Sequence, residues 1–200
     1  MDANFGHELV PGRSCGSCDV CCVALTIDEP HLQKLQGHRC PNLQQDHLCR
    51  IYDSRPQTCR AFYCGWRRLK WVRENLRPDQ SGVLIRVIVE SSRSRGPQLG
   101  ICVTLLGPRA LKADGLAETL AAAVNADIPV QLHVPGPPGY TAAVARINEA
   151  LADSVTFKDK AALLAVLRRA YAQGRKGAFR PIVLGRPCAE AGHASAEDMA

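Results

Sequence analysis

The chain has 200 residues, 46% of them hydrophobic, a formal net charge of +6 and ten cysteines. That is enough apolar material to bury a core as one domain of ordinary size, or as a small domain plus a larger one, so this is not a mini-protein that needs sulfur merely to fold. Residues 1–14 show no basic region followed by an apolar one, and no later run approaches the roughly 18 apolar residues of a membrane span; the expectation is a cytoplasmic protein with no membrane partner.

Eight of the ten cysteines fall between residues 15 and 64, in the order Cys15, Cys18, Cys21, Cys22, Cys40, Cys49, Cys59 and Cys64. Thiols at this density are pinned by metal or oxidised to disulfides, and a reducing compartment favours metal. Two successive three-residue steps, Cys15 to Cys18 to Cys21, let one short loop wrap three thiolates around a single centre, with Gly16 free to take the positive φ such a loop often needs. Bacterial ferredoxins present three cysteines to a [4Fe–4S] cluster in this way, the fourth being followed by proline, as Cys40 is by Pro41. Tetrahedral zinc more often draws on two separated C-x2-C pairs. Here the wider pairs Cys40/Cys49 and Cys59/Cys64 would have to serve, so the spacing tilts toward an iron–sulfur cluster, with zinc as the alternative. Adjacent side chains diverge, and eight thiols exceed the four that one zinc or one [4Fe–4S] centre takes. One of Cys21 and Cys22 is therefore expected to join Cys15 and Cys18, the other to face a second site; how Cys40, Cys49, Cys59 and Cys64 divide is not readable from spacing.

The run from Cys15 to Cys22, with Cys40-Pro41-Asn42-Leu43 and the stretch from Cys49 through Ile51, Tyr52, Arg55, Pro56, Cys59 and Arg60 to Cys64, resembles the YkgJ-type CxxCxxCC proteins. They are described as zinc- or iron-chelating and often as iron–sulfur-containing. The resemblance covers about a quarter of the chain, with a short interval between Cys22 and Cys40, and it implies metal binding at the eight cysteines rather than a reaction.

Other residues of the window suggest supporting roles. Arg55 and Arg60 bracket Cys59 and could donate to cluster sulfurs or nearby carbonyls; the plainer alternative is surface residues, or pairs with Asp46 or Asp53. Tyr52, Phe62 and Tyr63 read as a wall keeping water off the metal. His31, His38 and His47 could each replace a cysteine, His47 best placed of the three. From Arg55 to Arg77 seven basic residues stand against Glu74 alone. A helix over 66–77 would turn Trp66, Leu69, Val72 and Leu76 inward and present Trp71 with Arg67 and Arg68 on the opposite side, where a nucleic acid or protein partner could stack; the plainer reading covers Trp71 with the second half of the chain.

Composition changes near Gly82. Residues 83–90 and 101–106 read as strands joined by a polar loop carrying Arg93 and Arg95, and Asp114 could cap a helix running to Val124. Residues 130–134 alternate as a strand, 135–139 turn, and Thr141 could cap a second helix with Val144, Ile147 and Leu151 inward. A third helix, about 158–173, buries Leu164, Leu167 and Tyr171; residues 181–184 read as a last strand. Cys102 reads as a small buried hydrophobe, and Cys188, near His193, as a bystander. The expected fold class is α+β: a small irregular cysteine-rich metal-binding domain over 1–81, a mixed α/β half over 82–188, and a flexible tail over 189–200. No general base, glycine-rich phosphate loop or Ser/His/Asp set marks an enzyme. The function expected is a cytoplasmic metal-binding protein with a cysteine-ligated centre, an iron–sulfur cluster before zinc, in an electron-transfer or redox-accessory role with a redox or protein partner. The alternative is a zinc module that binds nucleic acid or protein through residues 66–77.

Overall fold

A computed structural model describes residues 5, 8–92 and 96–185, so that Arg93, Arg95, Cys188, His193 and the tail over 189–200 lie outside the described residues. The cysteine-rich part is built from short pieces. Helix α1 (Val20–Ala24) leads into a two-stranded hairpin, β1 (Ile27–Glu29) and β2 (Leu32–Lys34), and helices α2 (Gln57–Ala61), α3 (Gly65–Arg68) and α4 (Pro78–Ser81) follow. The larger part is a four-stranded sheet. Strands β3 (Val83–Ser92) and β4 (Gly96–Leu105) pair antiparallel, in register from Val83 opposite Leu105 to Ser92 opposite Gly96. Helix α5 (Leu116–Asn125) carries the chain across, so that β5 (Val130–Val134) lies parallel to β4, Ile101 opposite Val130. Strand β6 (Ala143–Arg146) closes the order β3-β4-β5-β6, antiparallel to β5. Helices α6 (Asn148–Thr156) and α7 (Lys160–Gly174) complete the α+β architecture.

Period-two alternation puts Val83, Ile85, Ile101, Val103, Leu105, Val130, Leu132 and Val134 on one face, packed with Leu116, Leu120, Leu151, Leu163, Leu167 and Tyr171 from the helices. Trp66, Leu69, Val72 and Leu76 enter this same core from the segment ahead of β3. Those four share the inward side expected of them, yet no helix runs from 66 to 77. Helix α3 stops at Arg68, and a single 3₁₀ turn covers Glu74–Leu76. The reason is a contact distant in sequence: Arg13 draws the carbonyls of Trp66 (2.6 Å), Leu69 (3.3 Å) and Val72 (2.8 Å) onto its guanidinium, taking acceptors that a helix would use for its own N–H groups. Trp71 is half-buried against the core, covered as in the plainer reading.

Other expectations shift. The helix expected from Thr141 is strand β6, because β5 needs an antiparallel neighbour and the 135–140 turn returns the chain alongside it. Val144 points out at 55% exposure, while Ile147 and Leu151 are buried. Asn148 opens α6 and pins β5, accepting from the Val130 N–H at 2.7 Å and donating to the Ile128 carbonyl at 2.8 Å. Helix α5 begins at a Gly115 with φ +81°, and Asp114 accepts from Asn75 at 2.6 Å instead of capping. Asp159 caps α7 by accepting from the Ala162 N–H at 2.9 Å, and Leu163 rather than Leu164 takes the buried position. Residues 181–184 form only a bridge, Tyr140 to Pro181, since proline has no N–H to extend a ladder. The polar loop after β3 is shorter than expected, both strands running on to Ser92 and from Gly96.

The sheet's other face is polar. Arg86 donates to Cys102 Sγ at 3.2 Å and lies 3.5 Å from His133 Nδ1, while His133 Nε2 is 3.2 Å from Gln131 Oε1. Gln131 in turn donates to Glu90 at 3.1 Å, and Arg146 pairs with the same carboxylate. A guanidinium can only donate, so Nδ1 must accept and Nε2 carries the proton of a neutral imidazole. Burial, reinforced by the Arg86 charge, pushes His133 down from 6.5 to about 4. The unfolded chain therefore binds a proton near 6.5 that the folded chain refuses until about 4. Stability from this side chain is complete above pH 6.5 and is lost as pH falls through that window. Between pH 7 and pH 5 the expected loss is about 2 kcal/mol in the free energy of urea unfolding. His133→Asn should abolish it; an unchanged pH dependence in that variant would remove the imidazole from the account.

Candidate metal centre

The loop before α1 is held from both sides. The Cys18 N–H donates to the Cys15 carbonyl at 2.9 Å across Gly16, whose φ of +52° suits a residue with no Cβ. Arg77, at the start of α4, donates to the Cys15 carbonyl at 2.8 Å, and Arg13 clamps the turn after α3 while its guanidinium lies 5.3 Å from the Trp66 ring centroid. Helix α1 then begins, and consecutive helical residues leave the axis about 100° apart, so Cys21 and Cys22 start in different directions. Cys22 looks toward the hairpin: its carbonyl accepts from the Cys40 N–H at 3.0 Å, and it packs with Cys59 and Val23 on the cluster of Ile27, Leu32, Cys40 and Leu43. Cys49 bridges Leu43 across the turn that follows Cys40. Cys64 stands apart from that cluster, at the N-terminal end of α3 and against the main core.

All nine cysteines among the described residues are free thiols. Their charges act on one another in a definite pattern. Cys21 has Cys22, Cys18 and Cys15 as electrostatic neighbours, Cys64 has Cys15, and Cys18 has Cys64; Cys59 has Cys22, Cys40 and Cys49. Cys21 and Cys22 are also hydrogen-bonded to each other. The hydrogen bond from Cys21 brings Cys22 down to about 7 against the opposing effect of burial, with help from Lys34 and Arg55, and the same bond with burial drives Cys21 up. Burial pushes Cys18 and Cys59 up to about 11 and raises Cys64 as well. Cys22 is thus more readily ionised than Cys18 or Cys59. Among the described residues no three Cys, His, Asp or Glu side chains stand close enough to hold one ion as placed. The donors fit a thiophilic metal or iron–sulfur cluster in kind and number.

The supporting residues divide. Arg55 donates to the Tyr52 carbonyl at 2.8 Å, lies over the Tyr52 ring at 3.7 Å and acts electrostatically on Cys22. Arg60 is exposed and acts on Glu29, which caps α2 through the Thr58 N–H at 2.8 Å. Tyr52, at 61% exposure, and Tyr63 lie at the surface, so neither walls a metal from water; Phe62 is half-buried. Arg67 and Arg68 are half-buried, and Arg67 lies 5.9 Å from the Tyr63 ring centroid. His31 and His38 are exposed, and His47 Nδ1 sits 2.8 Å from Asp19 Oδ2, tying the 44–48 turn to the start of α1.

One participant went unread in the sequence. Lys34, only 4% exposed, donates to the carbonyls of Val23 (3.0 Å), Leu35 (3.2 Å) and His38 (3.1 Å) and to that of Leu25. Its ammonium has Cys40, Cys22, Cys21 and Cys59 as electrostatic neighbours. The signal was present in the alternation of β2, which puts Lys34 on the same face as buried Leu32. Arg13 and Arg77 carried no such signal, since their acceptors are backbone carbonyls distant in sequence. No helix among the described residues is long and apolar enough to cross a membrane. No family model, curated protein or solved structure matches the chain.

Proposed function

We propose that this protein binds metal through the cysteines of residues 15–64, as an iron–sulfur centre in a reducing, cytoplasmic setting, and that it passes electrons to, or supports, a redox partner. The observation that carries this reading is the mismatch between thiols and core. Eight cysteines gather in a region whose own buried cluster is Ile27, Leu32, Cys40 and Leu43, and whose helices α1 and α2 bury no residue at all. So little apolar surface cannot order fifty residues by itself, and metal binding is folding energy in such a segment. Iron is preferred to zinc on the tandem three-residue spacing and on Cys40-Pro41. Cys15 is exposed, which would bring a cluster near the surface where a partner can exchange electrons with it. Lys34 and Arg55 place positive charge beside thiolates, which raises the potential of an anionic centre.

The test is anaerobic purification followed by iron, acid-labile sulfide and zinc analysis with a visible spectrum. A brown protein with sulfide-to-iron near unity is expected, because thiolate-to-iron charge transfer absorbs visible light and d10 zinc does not. A colourless protein with stoichiometric zinc would replace iron by zinc, and one with neither metal would end the metal reading.

A further inference from the structure

The eight thiols are not one group. The loop of residues 13–18 is fastened to the segment that follows Cys64: Arg77 holds the Cys15 carbonyl, Arg13 holds the turn after α3, and the Val10 N–H donates to the Arg67 carbonyl at 2.8 Å. This brings Cys15 and Cys18 to the side of the molecule where Cys64 packs on the main core. On the far side of α1, the Cys40 N–H is bonded to the Cys22 carbonyl, Cys22 and Cys59 lean on the small hairpin cluster that contains Cys40, and the Leu43–Cys49 bridge brings in the fourth. Helix α1 lies between, and its Cys21–Cys22 step is where the two groups meet: the two sulfurs are hydrogen-bonded to each other, Cys21 with Cys18 and Cys15 as further neighbours and Cys22 beside Cys59.

We propose two four-thiolate metal sites, one formed by Cys15, Cys18, Cys21 and Cys64 and the other by Cys22, Cys40, Cys49 and Cys59, with the Cys21–Cys22 peptide as the junction. The electrostatic neighbours described above run inside these two sets and cross between them at Cys21 and Cys22. The division cuts across sequence order. Cys64, the last cysteine of the window, joins the first two, while Cys59, five residues earlier, belongs to the other site. Helix α2 and residues 62–63 separate them, and α3 starts directly after Cys64, so this cysteine is placed by the main core rather than by the hairpin. Lys34 holds its ammonium among carbonyls next to three cysteines of the second site, Cys40, Cys22 and Cys59, and next to Cys21 at the junction. Such a lysine offsets the net negative charge of a metal held by four thiolates.

The proposal rests on the metal reading, and its test separates the two. Cobalt(II) alone is titrated into the metal-free full-length protein, where tetrathiolate coordination gives intense charge-transfer bands, and metal is counted per chain. Wild type should take two. Cys15→Ser and Cys59→Ser should each retain one. In the first, mass-spectrometric mapping of iodoacetamide labelling should find Cys18, Cys21 and Cys64 alkylated at least about tenfold faster than Cys22, Cys40, Cys49 and Cys59; in the second, Cys22, Cys40 and Cys49 should be faster than Cys15, Cys18, Cys21 and Cys64 by the same margin. Should either variant fail to fold by circular dichroism, Cys18→Ser and Cys49→Ser replace them with the same expected patterns. A wild-type protein that binds one cobalt, or a variant in which all remaining thiols open together, or one in which Cys64 stays shielded when Cys15 is gone, overturns the two-site division while leaving metal binding intact. A wild-type protein that binds no metal overturns both.

Discussion

Gly65→Ala is expected to destabilise the protein by about 3 kcal/mol in urea unfolding, the upper end of what overpacking by a single methyl costs. Gly65 sits between Cys64 and buried Trp66 and presses against the sheet. A Cβ there would meet Ile85 Cγ2 at 2.5 Å, Ile85 Cβ at 2.9 Å and the Ile85 carbonyl at 3.3 Å. Ile85 cannot step aside. It is 1% exposed, β-branched and therefore stiff at χ1, and locked opposite Val103 in the β3–β4 ladder. The extra carbon must instead lift α3 off the sheet, and Cys64 with it. Two readouts follow from that geometry. Alkylation of Cys64 should accelerate along with the loss of stability, and Ile85→Ala should relieve part of the clash, so that the double variant is less destabilised than the two single losses added together. Simple additivity would mean that the contact with Ile85 is not the cause.

Lys34→Met is expected to cost about 3 kcal/mol, concentrated in residues 21–40 rather than spread over the sheet. The stem of methionine fits the same space, but the four carbonyls now served by the ammonium lose their donor, and two of them, Val23 and Leu25, belong to the C-terminal end of α1 and the residue after it. Helix carbonyls at that end favour a cation. The Val23 carbonyl keeps the Gly37 N–H at 2.9 Å as a partner, so the connection is weakened and not erased. Amide hydrogen exchange is the appropriate measurement, because local opening shows there even when global unfolding does not. The amides of Leu25, Gly37 and Cys40 should exchange about a hundredfold faster, while those of Ile101 and Leu132 in the central strands keep their protection. Acceleration shared equally by the central strands would place Lys34 in the global core and not in the cysteine region.

Much of the sheet was legible because its physics is local. Strands β3, β4 and β5 are dense in β-branched and aliphatic residues, and α5 and α7 carry apolar residues at three- and four-residue spacing, so periodicity alone located them. Residues 66–77 show where periodicity misleads. Trp66, Leu69, Val72 and Leu76 are buried as a helical pattern requires, but a broken chain that returns its side chains to one surface satisfies the same pattern, and a guanidinium some sixty residues away took the carbonyls. Residues 141–147 were misread for the opposite reason: strand β6 is short and mostly exposed, and only the open edge of β5 makes it a strand. The cysteines were visible as a set. Their grouping was not, since it depends on which side of α1 each loop is fastened to.

The way the Cys15 loop is fastened has its own consequence. Arg13 and Arg77 grip peptide oxygens, and a peptide oxygen neither titrates nor carries a net charge, while a guanidinium keeps its proton throughout the accessible range. Dissolved salt screens paired opposite charges most where they face water, as at Lys160–Glu118. It has little purchase on the half-buried contacts of Arg13 with the carbonyls of Trp66, Leu69 and Val72. The Arg13 half of this attachment is therefore less sensitive to ionic strength than the Arg77 half, whose contact with Cys15 is exposed and whose guanidinium also pairs with Asp79 at 3.0 Å.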